Sequence, residues 1–228
     1  MKIKKRILIG VMGLVVDLCV AACSRQPEQG TKTNGIMQRC PGFVETGKAP
    51  LVYAAECGEL IVKENPADAT SRDISVAILR LPAISPVVGT DPLFLIQGGP
   101  GGSSIEMANQ LHGFFTDVRK NRDLIFVDQR GTGKSNFMGC ETLDVADLNL
   151  PEAEQIQKQR ALLADCAEKY RSSAEFYTTP YAVQDLDAVR LALGYKAINL
   201  WGGSYGTRVA QQYARRYPAQ TRSIILDG

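Results

Sequence analysis

Residues 198–206 read Ile-Asn-Leu-Trp-Gly-Gly-Ser-Tyr-Gly and decide the fold class of this chain. The first four of them have a strand-forming pattern, and the residues that follow, up to Pro218, have the composition of a helix. A serine between such a strand and such a helix is typical of a sharp turn that exposes its hydroxyl. Ser204 is therefore the candidate nucleophile. Glycine at positions 202 and 206 indicates that strand and helix approach each other too closely there to leave room for a side chain.

Strand and helix patterns alternate along the rest of the chain. Short continuous apolar runs indicate strands buried on both faces, and 3.6-residue periodicity with Pro or Gly at its ends indicates helices. The predicted elements are a hairpin of strands 59–63 and 74–81, strands 93–96 and 124–127 joined by a helix over 103–120, helices over 151–170 and 179–193, and a strand over 223–226. This alternation predicts an α/β fold with helices on both faces of a largely parallel sheet.

A second Gly-rich segment, Gln-Gly-Gly-Pro-Gly-Gly-Ser at 97–103, follows the strand at 93–96. Its glycines allow the N–H of Gly99 to face a developing oxyanion, with Gly98 supporting the loop. The second donor is the N–H of Tyr205, directly after the nucleophile. Taken alone, the segment could also be an ordinary tight turn.

The segment 128–135, Asp-Gln-Arg-Gly-Thr-Gly-Lys-Ser, has some likeness to a phosphate-binding loop. That loop requires a glycine where Asp128 stands, so the spacing excludes it and no nucleotide is expected. We interpret the segment as a structural turn in which Asp128 and Arg130 form hydrogen bonds that brace the neighbouring loops.

In this order and spacing, QGGPGGS, DQRGTGKS and GGSYGT resemble the α/β-hydrolase serine peptidases of the proline iminopeptidase and tripeptidyl aminopeptidase group. The resemblance runs from about Cys57 to Gly228. It implies the α/β-hydrolase fold and a hydrolase that removes residues or short peptides from the N-termini of a peptide substrate through an acyl-enzyme. It also implies Ser204 as nucleophile and the N–H groups of Gly99 and Tyr205 as oxyanion donors. A metal and an organic cofactor are not implied.

The general base is missing from its expected place. An α/β-hydrolase carries its acid and its histidine after the nucleophile, whereas His112, the one histidine of the chain, precedes Ser204. Only 24 residues follow Ser204, and Asp227 among them is interpreted as structural. The resemblance also implies a lid domain inserted after the strand at 223–226. We therefore expect a truncated, incomplete α/β-hydrolase that lacks its last strands and this lid domain, is weakly active or inactive, and leaves the strand at 223–226 as an apolar edge.

Two alternatives remain at this point. An esterase or lipase on the same fold would use the same nucleophile and oxyanion loop, since both serve acyl transfer in general. A non-catalytic pseudoenzyme that acts as a binding surface would explain the missing base.

The amino terminus has the layout of a bacterial lipoprotein signal. Four basic residues precede a short apolar run within 1–22, and the tetrapeptide Val-Ala-Ala-Cys then ends at Cys23, the expected lipidation site and membrane anchor. A polar tether over 23–36 and a hydrolase domain over 37–228 follow. The expected location is the periplasmic side of a bacterial membrane, and Ser24 favours the outer membrane. The alternatives are a signal peptide cut elsewhere or an uncleaved anchor.

Composition and charge limit the partners. With 45% hydrophobic and 22% charged residues, the chain is typical of a globular protein. Removal of residues 1–22 leaves 22 basic against 23 acidic residues and no basic stretch. We therefore expect no nucleic-acid partner.

Four cysteines remain after the signal and Cys23 are set aside, and in an exported protein an even number favours disulfides over metal ligation. Of the three possible pairings we favour Cys40 with Cys57 and Cys140 with Cys166, because each pair is close in sequence. Free buried thiols are the alternative.

Overall fold

The computed structural model describes residues 35–40 and 55–228. The predicted signal peptide, Cys23 and the tether as far as residue 34 therefore lie outside the described residues.

A seven-stranded sheet with the order β1-β2-β3-β5-β4-β6-β7 organises the described residues. The strands are β1 (Met37–Arg39), β2 (Glu56–Lys63), β3 (Asp73–Leu81), β4 (Leu93–Ile96), β5 (Leu124–Val127), β6 (Ile198–Gly203) and β7 (Thr221–Asp227). Strand β4 pairs in parallel with β5 and β6, and β6 pairs in parallel with β7. Strands β1, β2, β3 and β5 pair successively antiparallel, and β2 with β3 forms the predicted hairpin.

Helices cover both faces of the sheet. They are α1 (Ser104–Leu111), α2 (Thr116–Arg119), α3 (Glu152–Lys169), α4 (Thr179–Ala192) and α5 (Tyr205–Arg216). Alternate residues of β4 belong to different cores: Phe94 packs with apolar side chains of α4 and α5, and Leu95 packs with Ala108 of α1. Because successive strand residues face opposite sides, the two cores lie on opposite faces, which confirms the predicted layering. No helix within the described ranges is both long enough and apolar enough to cross a membrane.

Three details differ from the sequence-based expectations. The helix predicted over 103–120 is interrupted by a 3-10 segment, His112–Phe115, where glycine and aromatic residues with low helix propensity replace good helix formers. The sequence predicts Thr179 as the N-cap of the helix over 179–193, with Pro180 in its first position, whereas Thr178 is the N-cap of α4 in the structure. Helix α3 has no buried residue, so its apolar side chains do not join either core.

Both favoured disulfides are present in the structure. Cys40 is joined to Cys57, and Cys140 is joined to Cys166 in α3. The first attaches the segment after β1 to β2, and the second attaches α3 to the loop that follows β5.

Strand β7 lies at one edge of the described sheet, as expected. Ile224, Ile225 and Leu226 are 39%, 49% and 46% exposed, respectively. Such an exposed apolar edge strand is prone to pair with other chains.

Candidate active site

Ser204 occupies the sharp turn between the end of β6 and the start of α5. Its backbone has φ 50° and ψ −120°, and the residue is exposed. Its N–H donates a hydrogen bond to the carbonyl oxygen of Asp227 at 2.6 Å, which joins the turn to β7. A positive φ is strained for a residue other than glycine, and such strain concentrates at functional sites.

The two glycines of the turn are required by close approach. A Cβ atom on Gly206 would lie 2.2 Å from the carbonyl oxygen of Ile96 in β4. A Cβ atom on Gly202 would lie 2.3 Å from the carbonyl oxygen of Gly206. The spacing of the Gly-x-Ser-x-Gly motif thus reflects how tightly β6, β4 and α5 pack.

The strain at Ser204 leads to a testable stability difference. We expect Ser204→Gly to be about 1 kcal/mol more stable than Ser204→Ala, because glycine adopts this backbone conformation without the steric cost that alanine incurs. Urea unfolding of the two variants measures the difference. Equal stability, or a more stable alanine variant, would contradict backbone strain at this position.

The Gly-rich loop lies directly against the nucleophile. A Cβ atom on Gly98 would be 2.8 Å from Cβ of Ser204 and 3.2 Å from the backbone nitrogen of Tyr205. Within the described part of the chain, the N–H groups of Gly99 and Tyr205 make no hydrogen bond. Both groups are therefore available to a ligand, as an oxyanion hole requires.

Asp128 holds the Gly-rich loop and the loop after β5 together. Its Oδ1 accepts hydrogen bonds from Ser103 Oγ at 2.8 Å and from the N–H of Ile105 at 3.0 Å. Its Oδ2 accepts from the N–H of Lys134 at 2.9 Å. Since Ser103 is also the N-cap of α1, this fully buried carboxylate fixes the start of that helix.

Arg130 is buried and uses every N–H group it has. Its Nε and Nη2 donate to the two carboxylate oxygens of Asp185 in α4 at 2.6 and 2.7 Å. Its Nη1 donates to the carbonyl oxygens of Glu64 and Phe176 at 2.7 and 3.0 Å. A longer bond of 3.5 Å runs from Nη2 to the carbonyl oxygen of Lys63. Since a guanidinium has five N–H donors, all are occupied, and the residue braces several segments as its position in the motif suggested.

A cavity of about 380 Å³ lies beside the turn. Its wall comes from the Gly-rich loop, the loop after β5, the segment before α4 with the first turn of that helix, and the residue after the nucleophile. The lining residues are Pro100, Gly101, residues 129–132, Met138, Ala174, residues 177–179, Ala182 and Tyr205. This volume is within the range of about 300–1,000 Å³ that is usual for ligand sites.

Tyr177 forms one wall of this cavity and is held by a polar network. Its hydroxyl donates to Glu64 Oε1 at 2.8 Å and accepts from Asn136 Nδ2 at 2.6 Å. Burial, reinforced by the hydrogen bond to Glu64, raises the pKa of Tyr177 to about 12. The hydrogen bonds from Arg72 hold the pKa of Glu64 below its usual value. At neutral pH the phenol is therefore a neutral donor to a charged carboxylate.

This cavity is built from residues that no local sequence pattern brings together. Its network joins Glu64 to Tyr177, which lie 113 positions apart. One available signal was Asp185, a carboxylate next to the apolar positions of α4. A charged residue at such a position is usually paired when it is buried.

The structure places His112 at the opposite end of α1 from the Gly-rich loop and leaves Asp227 at the surface. His112 follows the last residue of α1, whose first residue adjoins the Gly-rich loop, and an eight-residue helix is about 12 Å long. Asp227 contributes its backbone carbonyl to the turn, while the residue itself is exposed.

Comparisons with known proteins identify the family of the chain. Residues 91–228 match the family model described as the alpha/beta hydrolase fold. The chain is 33% identical over 191 residues to serine protease Hip1 of Mycobacterium tuberculosis, covering 76% of this chain and 36% of that protein. It is 30% identical over 145 residues to tripeptidyl aminopeptidase of Streptomyces lividans, covering 57% of this chain and 27% of that protein. A proline iminopeptidase of Xylella fastidiosa is 28% identical, covering 60% of this chain and 32% of that protein. The chain thus spans about a third of the length of these curated relatives.

Proposed function

Because the chain belongs to the α/β-hydrolase family of peptidases, we propose that it carries the nucleophile and the oxyanion hole of an exported serine aminopeptidase. The observation that carries the proposal is the strained, exposed Ser204, which directly precedes Tyr205 and packs against Gly98. Among the described residues, the N–H groups of Gly99 and Tyr205 have no hydrogen-bond acceptor. The names of the relatives support a peptide substrate. The two disulfides support export, since disulfides persist in oxidising compartments.

In the proposed reaction, Ser204 Oγ attacks the carbonyl carbon of the substrate. A C–O bond forms while the scissile C–N bond breaks, and the serine proton passes through a base to the leaving amine. The oxygen that becomes negative accepts hydrogen bonds from the two free N–H groups. Water then hydrolyses the ester, which releases the acyl part as an acid and returns a proton to Oγ.

We propose that the general base and the acid that orients it are supplied by residues that are not part of this sequence. The support is that His112 is the one imidazole in the sequence and lies at the far end of α1. The chain alone is then expected to react slowly with acylating reagents. A positioned base contributes roughly 10²–10⁴-fold to such steps.

The test is labelling of the chain with a fluorophosphonate, mapped by mass spectrometry. We expect slow labelling at Ser204, an acceleration of about tenfold by added imidazole acting as an external base, and no labelling in Ser204→Ala. His112→Gln should label at the unchanged rate. Modification of another residue would contradict Ser204 as the nucleophile. Loss of labelling in His112→Gln would contradict an external base.

The amino-terminal anchor belongs to the same proposal. The tetrapeptide that ends at Cys23 supports attachment of lipid to that thiol, and a lipid chain would hold the hydrolase at a membrane surface. Metabolic labelling with palmitate should mark the protein, and Cys23→Ser should abolish the label. Persistent labelling of the variant would exclude Cys23 as the lipidation site.

A further inference from the structure

We propose that the cavity beside Ser204 is a subsite for an uncharged, mainly apolar side chain in the acyl part of the substrate. In this proposal Met138 and Tyr177 are the specificity-determining residues. The inference rests on the proposed function, because it takes the nucleophile as given and adds the chemical class of the group next to the scissile bond.

The first support is position. Tyr205 lines the cavity and directly follows Ser204, and Pro100 lines it and directly follows Gly99. A carbonyl oxygen bound by the N–H groups of Gly99 and Tyr205 therefore places the neighbouring substituents of the substrate at the mouth of the cavity. The volume of about 380 Å³ leaves room for a large side chain.

The second support is charge. Arg130 is the one charged residue among the described residues that line the cavity, and its five N–H donors are already bound to Asp185 and to three carbonyl groups. It therefore has no donor left for an anionic side chain. No Asp or Glu in the described part of the chain lines the cavity, so a cationic side chain would lack a carboxylate partner from these residues. Burial of an unpaired charge is strongly unfavourable.

The third support is the state of the two tyrosine hydroxyls. The Tyr177 hydroxyl is bound by Glu64 and Asn136, and the Tyr205 hydroxyl lies 2.5 Å from Thr179 Oγ1. Both residues therefore leave ring surface for a ligand. With the thioether of Met138, these rings supply apolar surface to a wall that also contains the uncharged polar residues Gln129, Thr132, Thr178 and Thr179.

The fourth support is rigidity. A Cβ atom on Gly131 would lie 2.8 Å from Cδ1 of Tyr177, so the ring packs directly on the backbone of the loop after β5. The hydroxyl of the same ring is held by Asn136 Nδ2 at 2.6 Å and by Glu64 Oε1 at 2.8 Å. The position of the Tyr177 ring is thus fixed before substrate binds. A preformed subsite can select among substrate side chains without a free-energy cost for ordering its own residues.

The test compares three diphenyl phosphonates that carry a leucine-like, a lysine-like or a glutamate-like side chain. Each reacts when Ser204 Oγ bonds to phosphorus and phenol leaves. The ratio of their rates on the full chain does not depend on how strongly Oγ is activated, since activation is common to all three. We expect the leucine-like probe to react at least about tenfold faster than either charged probe.

A charge-reversal variant sharpens the test. Met138→Glu places a carboxylate in the wall, and we expect it to raise the rate for the lysine-like probe relative to the leucine-like probe by about tenfold. Phe137→Glu is the matched control, because Phe137 is the preceding residue, is 67% exposed and does not line the cavity. It should leave the ratio unchanged.

The outcomes separate the two proposals. Equal rates for the three probes, with normal fluorophosphonate labelling of Ser204, would overturn the subsite and leave the proposed function intact. A change of ratio in Phe137→Glu as large as that in Met138→Glu would also overturn the subsite. Absence of labelling by every phosphonate would overturn the proposed function. The comparison on the unmodified chain decides the matter even if Met138→Glu does not fold.

Discussion

Gly206→Ala is expected to lower the free energy of unfolding by about 3 kcal/mol, a large overpacking effect. The added Cβ would lie 2.2 Å from the carbonyl oxygen of Ile96, an atom of the buried strand β4 that cannot move aside like a flexible side chain. Helix α5 must therefore shift away from the sheet. Because Ser204 precedes this helix, the same shift should abolish its labelling by fluorophosphonate.

Gly113→Ala is the matched control for this prediction. Gly113 lies in the 3-10 segment after α1, and a Cβ atom there would have no neighbour within 4 Å. We expect the free energy of unfolding of this variant to lie within about 0.5 kcal/mol of that of the unmodified chain, or slightly above it. Urea unfolding measures both variants. If Gly206→Ala and Gly113→Ala had similar free energies of unfolding, the predicted clash between position 206 and the carbonyl oxygen of Ile96 would be contradicted.

Arg130→Met should lower the free energy of unfolding by about 3–5 kcal/mol, as is usual when one partner of a buried ion pair is removed. The side chains of Arg130 and Asp185 are 1% and 5% exposed, so the carboxylate would remain buried without its partner. The carbonyl groups of Glu64 and Phe176 would lose a donor as well.

A double variant identifies the cause. If the unpaired carboxylate dominates the loss, Arg130→Met combined with Asp185→Leu should be more stable than Arg130→Met alone. Arg208→Met, at an exposed arginine of α5, should change the stability by less than about 0.5 kcal/mol. A double variant less stable than the sum of its single changes would assign the effect to packing or to the carbonyl groups instead.

Elements that are defined by local sequence were predicted well. The bounds of β4 and β5 agree with the apolar runs, because each run is short, continuous and buried on both faces. The helix predicted over 179–193 has apolar residues at every third or fourth position, and all four of them are buried in the structure: Val183, Leu186, Val189 and Leu193. Gly194, with a φ of 79°, follows as the predicted stop. The turn at Ser204 is predictable because the residues on which it depends, Gly202, Ser204 and Gly206, lie within five consecutive positions.

Features that depend on distant contacts could not be predicted in the same way. The antiparallel pairing of β3 with β5 places the hairpin beside the parallel strands, and no local pattern encodes this choice. The polar helix α3 was predicted, but its lack of buried residues follows from its position outside both cores. The cavity depends on pairs such as Arg130 with Asp185, which are 55 positions apart.

The disulfide between Cys140 and Cys166 has a topological consequence. It encloses part of the stretch between β5 and β6, including the greater part of α3, which has no buried residue. A protease could therefore cut the backbone anywhere inside this loop without releasing a fragment. The piece with the Gly-rich loop and the piece with Ser204 would remain one covalent molecule, and sequence length inside the loop could vary between relatives at little structural cost.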